Sequence, residues 1–184
     1  AAGPRISAET AMTISTVYAC TRIIAGTVGM LPLILYERLD DGGKVRAPGH
    51  PLYTVLHDTP NRRQTSQQFR QFMMVCLLLR GNGYAEIVPG PNGFADRLLP
   101  VHPDAVTPIP VGADATDFRV RMTDGRERIV SGDQMFHLMG LSMDGKTGMS
   151  VIAYARDSFG LAKATERYGS KLFSSGALHR GILK

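Results

Sequence analysis

The chain has 184 residues, of which 43% are hydrophobic and 20% charged. These are the proportions of a globular chain with enough apolar material for one core, not those of a disordered or disulfide-stapled chain. A net charge of +5 is too thin to mark a dedicated nucleic-acid binder, though it tolerates a phosphate-bearing neighbour. The longest apolar run, Phe72 to Leu79, falls far short of the roughly 20 residues that span a bilayer. Ala1 to Ser7 lacks a basic-then-apolar leader pattern, so no membrane partner and cytoplasmic synthesis are expected.

Along the chain, Ser7 to Met12 reads as a short capped turn. A helix is predicted from Ile14 to Met30, with Ile14, Val17, Tyr18, Ile24 and Val28 as its apolar stripe. Pro32 stops it. Leu33 to Leu39 reads as a strand and Asp40-Asp41-Gly42-Gly43 as its turn. Pro48 and Pro51 frame a loop, a short helix runs from Leu52 to His57, and Pro60-Asn61 breaks it. Thr65 opens the next helix with Gln68 as its capping-box partner. Phe69, Phe72, Met73, Cys76 and Leu79 form its buried face, and Gly81 closes it.

From Gly83 the apolar period changes to two. Strands are predicted at Tyr84–Val88, Arg97–Val101, Ala105–Ile109, Phe118–Thr123, Arg126–Val130 and Met135–Met139. Pro108 confines the third of these to a sheet edge. Asp124-Gly125 marks a two-residue hairpin, and such turns join antiparallel strands. A long helix is predicted from Val151 to Ser174, closed by Gly176. Ile152, Ala155, Phe159, Ala162 and Phe173 lie on one side, and Tyr154, Leu161, Tyr168 and Leu172 on another, which implies packing on both sides. Ala177 to Lys184 reads as the start of a further element. The order gives an α+β fold: amino-terminal helices, a central mostly antiparallel sheet and a long carboxyl-terminal helix.

One motif points to catalysis. Gly140-Leu141-Ser142-Met143-Asp144-Gly145-Lys146-Thr147 matches the Walker A phosphate-binding pattern, follows a predicted strand and precedes a predicted helix. Three points favour a plain glycine-rich turn. A true phosphate loop starts its helix at the Lys-Thr pair, whereas Gly148 follows here and Ser150 is the better cap. Asp144 places an acid where phosphate would sit. Magnesium-dependent hydrolysis also needs an aspartate on a neighbouring parallel strand, and these strands read as antiparallel.

The remaining chemistry-bearing residues are scattered. His50, His57, His102, His137 and His179 show no metal-ligand spacing. Cys20 and Cys76 fall within apolar helical patterns and read as buried, reduced thiols. No catalytic, cofactor or metal residue is nominated. The basic surplus lies at the carboxyl end, where Arg156, Lys163, Arg167, Lys171, Arg180 and Lys184 face only Asp157 and Glu166. Lys163, Arg167 and Lys171 share one helix side. Arg119 and Arg121 share one strand face, as do Arg126 and Arg128, so their hairpin is a candidate basic strip. Arg119, Arg121, Lys163, Arg167 and Lys171 are therefore the candidate contacts to DNA or to a neighbouring subunit.

Six stretches carry a family resemblance. Thr13 to Cys20, with Arg22-Ile23-Ile24-Ala25 and Leu31-Pro32-Leu33, resembles the opening helix and strand of the tailed-bacteriophage portal proteins. His50-Pro51-Leu52-Tyr53 with Leu56-His57 and Pro60-Asn61, and Phe69–Leu79 running into Arg80-Gly81-Asn82-Gly83-Tyr84-Ala85, are similar to the next two signatures. Leu99-Pro100-Val101-His102-Pro103, Gly140 to Gly145 with Gly148-Met149-Ser150, and Glu166-Arg167-Tyr168-Gly169 through Phe173 and Gly176 resemble the others. In that family the glycine-rich turn usually lacks the lysine, which makes Lys146 incidental.

The resemblance implies a structural ring subunit, usually dodecameric, at one capsid vertex of the virion. It would be made in the bacterial cytoplasm, from a phage or prophage. Double-stranded DNA would pass through its channel. The terminase large subunit, head-completion and tail proteins, and capsid or scaffold protein would be its partners. Residues 1–184 would form a wing-like domain of a longer chain whose remaining stem, clip and channel helix lie outside it. A nucleotide-binding enzyme, resting on Lys146 and Thr147, is the alternative that nucleotide titration separates. A sequence-independent DNA-binding module, resting on the basic carboxyl end, is separated by salt-dependent DNA affinity.

Overall fold

The computed structural model describes residues 6–112 and 114–174. Among these, short helix α1 (Ala8–Ala11) is capped by the Ser7 hydroxyl, which accepts from the Thr10 amide. It leads into α2 (Ser15–Met30), which ends just before Pro32. Helix α4 (Ser66–Arg80) has the expected capping box: Thr65 Oγ1 accepts from the Gln68 amide, and Gln68 Oε1 accepts from the Thr65 amide. Gly81 closes α4 at φ +78°, a left-handed conformation that favours glycine. Between them lie hairpin β1 (Tyr36–Arg38) and β2 (Lys44–Arg46), then α3 (Pro51–Tyr53), which runs into a π-helical turn over Thr54–Asp58.

The two long helices meet through small residues. On α2, Thr21, Ala25 and Gly29 are buried one turn apart, and the Gly29 backbone lies against Gln67 and Gln71 of α4. This corrects the predicted apolar stripe in part, since Ile14 is buried and Val17 packs against buried residues. Close approach selects side chains that occupy little space, so Tyr18 and Ile24 are turned outward at 50% and 43% exposure. It also corrects the reading of the cysteines: Cys76 is buried on α4, but Cys20 lies on the outer side of α2 and is exposed. Arg70 ties the helices together, its guanidinium donating to the Gly29 and Leu56 carbonyls.

The strands form three antiparallel sheets rather than one. The small one is β1–β2. The second places β3 (Asn82–Pro89) between β4 (Ala95–Val101) and β8 (Met135–Met139). The third has order β5 (Val106–Val111), β6 (Ala115–Arg121), β7 (Glu127–Val130). Strand β5 is an edge strand, as Pro108 requires, and Asp124-Gly125 makes the β6–β7 turn with Gly125 at φ +84°.

Alternation along β3 sorts its neighbours into layers. Ala85 faces α4 in a core with Val55, Phe69, Met73 and Leu98. Tyr84 faces the third sheet in a core with Val106, Phe118, Val120, Val130 and Met135. The β4–β3–β8 sheet is therefore sandwiched between helices and a second sheet. A third core joins Ile6 and Ala11 to Leu79 of α4 and to Ile152. Ile152 belongs to α5 (Val151–Tyr154), which is separated from α6 (Arg156–Ser174) by a break at Ala155. The predicted single helix is thus two. Phe159 packs on the third core, but Leu161 and Tyr168 are 71% and 70% exposed, so among the described residues α6 is packed on one side. Gly176, Arg180 and the element expected over 177–184 lie outside the described residues.

Candidate functional site

The glycine-rich loop is the place where sequence alone allowed catalysis, and its geometry is that of a packing joint. The Gly140 amide donates to the Gly81 carbonyl at 2.8 Å, and the Met149 amide to the Leu141 carbonyl at 2.7 Å. Asp144 then fills the loop from within. Its Oδ1 accepts from the Lys146 and Thr147 amides at 2.8 and 2.9 Å and lies 2.9 Å from Ser142 Oγ. These donors hold the carboxylate well below the usual range for aspartate, the Thr147 and Lys146 amides contributing most. The amides that a phosphate would need are committed to an internal anion. Helix α5 begins after Lys146 and Thr147, with the Ser150 hydroxyl accepting from the Ala153 amide. The preceding strand, β8, is antiparallel to β3. The loop therefore lacks the helix terminus and the parallel strand of a nucleotide site.

The loop is anchored to the start of β3. Asn82 Oδ1 accepts from the Gly148 amide and Asn82 Nδ2 donates to the Gly148 carbonyl, both at 2.8 Å. A Cβ on Gly81 or on Gly148 would overlap the backbone of the other segment. His137 Nε2 lies 2.9 Å from Asn82 Oδ1, and its ring stacks on Tyr84 at 4.5 Å, with Phe118 edge-on to both rings. Burial pushes the Tyr84 hydroxyl up to about 12 and the His137 imidazole down. Sequence reasoning left Asn82 out of the candidate residues. Its position between Gly81 and Gly83 was the available signal.

Charges are mostly paired at these joints. Arg80 lies between Glu9 and Asp104, with Nε 2.7 Å from Asp104 Oδ1. His50 and His102 accept from nearby backbone amides, and His57 contacts Asp58. A cleft of about 300 Å³ between α4 and the β4–β3–β8 sheet is lined by Val28, Phe69, Met73, Ile87, Phe136 and others. Arg70, the charged group lining it, is held by backbone carbonyls. The cleft has the features of a packing gap more than of a site with convergent polar groups.

The candidate cations fall on two elements, β6 and α6. Arg119 and Arg121 lie on the outer face of β6, Arg119 3.7 Å from Glu127 and Arg121 donating to the Asp104 carbonyl. The register pairs Val120 with Arg128, and cross-strand partners share a face. Arg128 is therefore on the opposite face, paired with Glu86, and Arg126 pairs with Asp124. The hairpin does not present one four-arginine strip. On α6, Lys163 Nζ lies 2.9 Å from Thr13 Oγ1 and 3.4 Å from Glu166 Oε2, while Arg167 and Lys171 are exposed.

Comparison with known proteins places this arrangement. The family model for phage portal protein matches residues 15–184. The chain is 32% identical to the portal protein of Enterobacteria phage HK97 over 97% of its own length and 42% of that relative. It is 41% identical to protein BeeE of Escherichia coli strain K12 over 56% of its length and 65% of BeeE. Against the first of these the chain spans less than half of the relative's length. Among solved structures it is similar to a chain from the neck of an empty gene transfer agent particle computed with C6 symmetry (TM-score 0.76, 20% identity, 99% of this chain and 49% of that one). It is also similar to an HK97-family phage portal protein from Corynebacterium diphtheriae (TM-score 0.66, 15% identity, 100% and 58%). With α2 to α6, the antiparallel sheets and the glycine-rich joint all inside the matched span, the chain belongs to the phage portal protein family.

Proposed function

We propose that this chain is the wing-like part of a portal subunit that assembles with copies of itself into a ring at the capsid vertex of a tailed-phage virion. The ring forms the channel for packaging and ejecting double-stranded DNA and docks the terminase large subunit, head-completion and tail proteins, with capsid or scaffold protein alongside. It works by geometry, without catalysis or a cofactor. The family match over residues 15–184 carries this reading. The third and fifth resembling stretches support it by meeting at one joint, Gly81-Asn82 against Gly140 and Gly148.

Arg119, Arg121, Lys163, Arg167 and Lys171 are proposed as contacts to DNA or to a neighbouring subunit. The partial pairing of Arg119, Arg121 and Lys163 suits a channel protein, because a conduit that gripped phosphate strongly would retard the DNA moving through it. The test is electron microscopy of the full-length gene product. Rings with a central pore are expected, and a uniform monomer overturns the proposal.

A further inference from the structure

Two helices leave large apolar side chains exposed on their outward sides. On α2, Thr16, Ala19, Cys20, Ile23, Thr27 and Met30 lie opposite the Thr21–Ala25–Gly29 seam, and all six are exposed, Ile23 at 63% and Met30 at 64%. Arg22 is the one charged residue in the sequence of that helix. On α6, Phe159 and Lys163 mark the side held to the domain. Leu161, Ala164, Thr165 and Tyr168 lie on the other side, at spacings of three, four and seven, and are exposed. A surface helix ordinarily turns its apolar stripe inward and its charges outward; α6 packs Phe159 inward but also leaves Leu161 and Tyr168 outward, 71% and 70% exposed, among its exposed charges. The break at Ala155 sets this arrangement, because it frees α6 from the direction that α5 follows along α4. Scattered exposed apolar residues are ordinary, whereas continuous apolar faces mark interaction sites.

The two faces differ in kind. The α2 face is lined by small side chains along most of its length, and the α6 face carries Leu161 and Tyr168 as projecting groups. A two-fold dimer buries the same patch from both partners, whereas a ring needs two different patches that match each other. Small side chains on one helix also let a second helix approach closely and seat large ones between its ridges. Chains of this fold are found in gene transfer agent necks computed with C6 and C12 symmetry.

We propose that the α6 stripe of one copy packs on the outward α2 face of the next, forming a head-to-tail contact between neighbouring subunits. This rests on the portal reading, and the occupant is a second copy of the chain.

The test uses the full-length protein and its native Cys20. Leu161→Cys and Tyr168→Cys are made separately, and assembled material is treated with a short bis-maleimide. A ladder of covalent multimers is expected on a denaturing gel, and it disappears when Cys20→Ser is added. Ile129→Cys, 65% exposed on β7, is expected to give no ladder. Separately, Leu161→Glu is expected to lower the ring fraction about tenfold or more, because it puts an unpaired charge in the contact, while the secondary-structure content by circular dichroism is unchanged. Rings that give only monomeric bands from both cysteine variants overturn the assignment and leave the portal reading standing. Undiminished rings from Leu161→Glu do the same. Loss of folded monomer in Leu161→Glu would mean that the rest of the same chain covers the stripe, which also overturns it. A wild-type product that never forms rings overturns both readings.

Discussion

Asn82 holds Gly148 by both ends of one side-chain amide, accepting from its N–H and donating to its carbonyl at 2.8 Å each. The contact joins the first residue of β3 to a loop 66 positions later, and it closes the glycine-rich turn against the end of α4. Asn82 is buried, so truncating it leaves backbone groups without their partner. Asn82→Ala is expected to lower unfolding free energy by about 2–3 kcal/mol, measured by denaturant titration. A loss under about 0.5 kcal/mol would show that water replaces the side chain at no cost.

The loop itself gives a sharper contrast. Lys146 is exposed, and Lys146→Ala is expected to change stability by no more than about 0.5 kcal/mol. Asp144→Ala removes the internal acceptor of two backbone amides and is expected to lower the melting temperature measurably where Lys146→Ala does not. Calorimetric titration of the unmodified protein with ATP and magnesium is expected to show no saturable binding. Saturable binding abolished by Lys146→Ala would restore a nucleotide role to the loop.

Acid should weaken the Arg80 cluster. The Glu9 carboxyl is held at about 2, against an ordinary 4.5, by its own backbone amide, the Ser7 hydroxyl and Arg80. Asp104 is lowered chiefly by its hydrogen bond to Arg80. A carboxyl depressed in the folded state contributes stability that is present above its unfolded value and lost as pH falls through its folded value. Stability is therefore expected to decline as pH drops from about 4.5 toward 2. The double variant Glu9→Gln, Asp104→Asn should flatten that decline, as read from melting curves across the range. An unchanged slope would place the acid sensitivity elsewhere.

The two thiols should separate kinetically. Cys20 is exposed, whereas Cys76 is buried and burial pushes its thiol up to about 11. A thiol reagent at neutral pH is expected to modify one cysteine in the folded protein and the second only in denaturant, because the thiolate is the nucleophile. Cys20→Ser should abolish the fast phase. A fast phase that survives would mean that α4 opens readily.

The sequence foretold features set by a few neighbouring residues. The Thr65–Gln68 box, the Gly81 stop, the Asp124-Gly125 hairpin and the edge position of Pro108 follow from local backbone chemistry. The buried face of α4 was also legible, because Phe69, Met73, Cys76 and Leu79 are large, apolar and in phase. The α2 face was misread in part, for the opposite reason. Periodicity weighs large apolar side chains, while the contact with α4 is made through Thr21, Ala25 and Gly29.

By itself, then, the sequence determined the mixed helical and antiparallel character, most turns and caps, and the likeness to portal proteins, since each is written in short-range patterns or in the order of motifs. The tertiary structure decided how the strands divide into three sheets, which faces Arg119 and Arg128 occupy, and that Asp144 spends the loop's amides on itself. It also decided that α6 breaks away at Ala155 and shows its apolar stripe to the outside. These depend on register, on close approach of backbones and on pairings between residues far apart in the chain. No local pattern encodes them, because the energy that selects them arises only when distant segments meet.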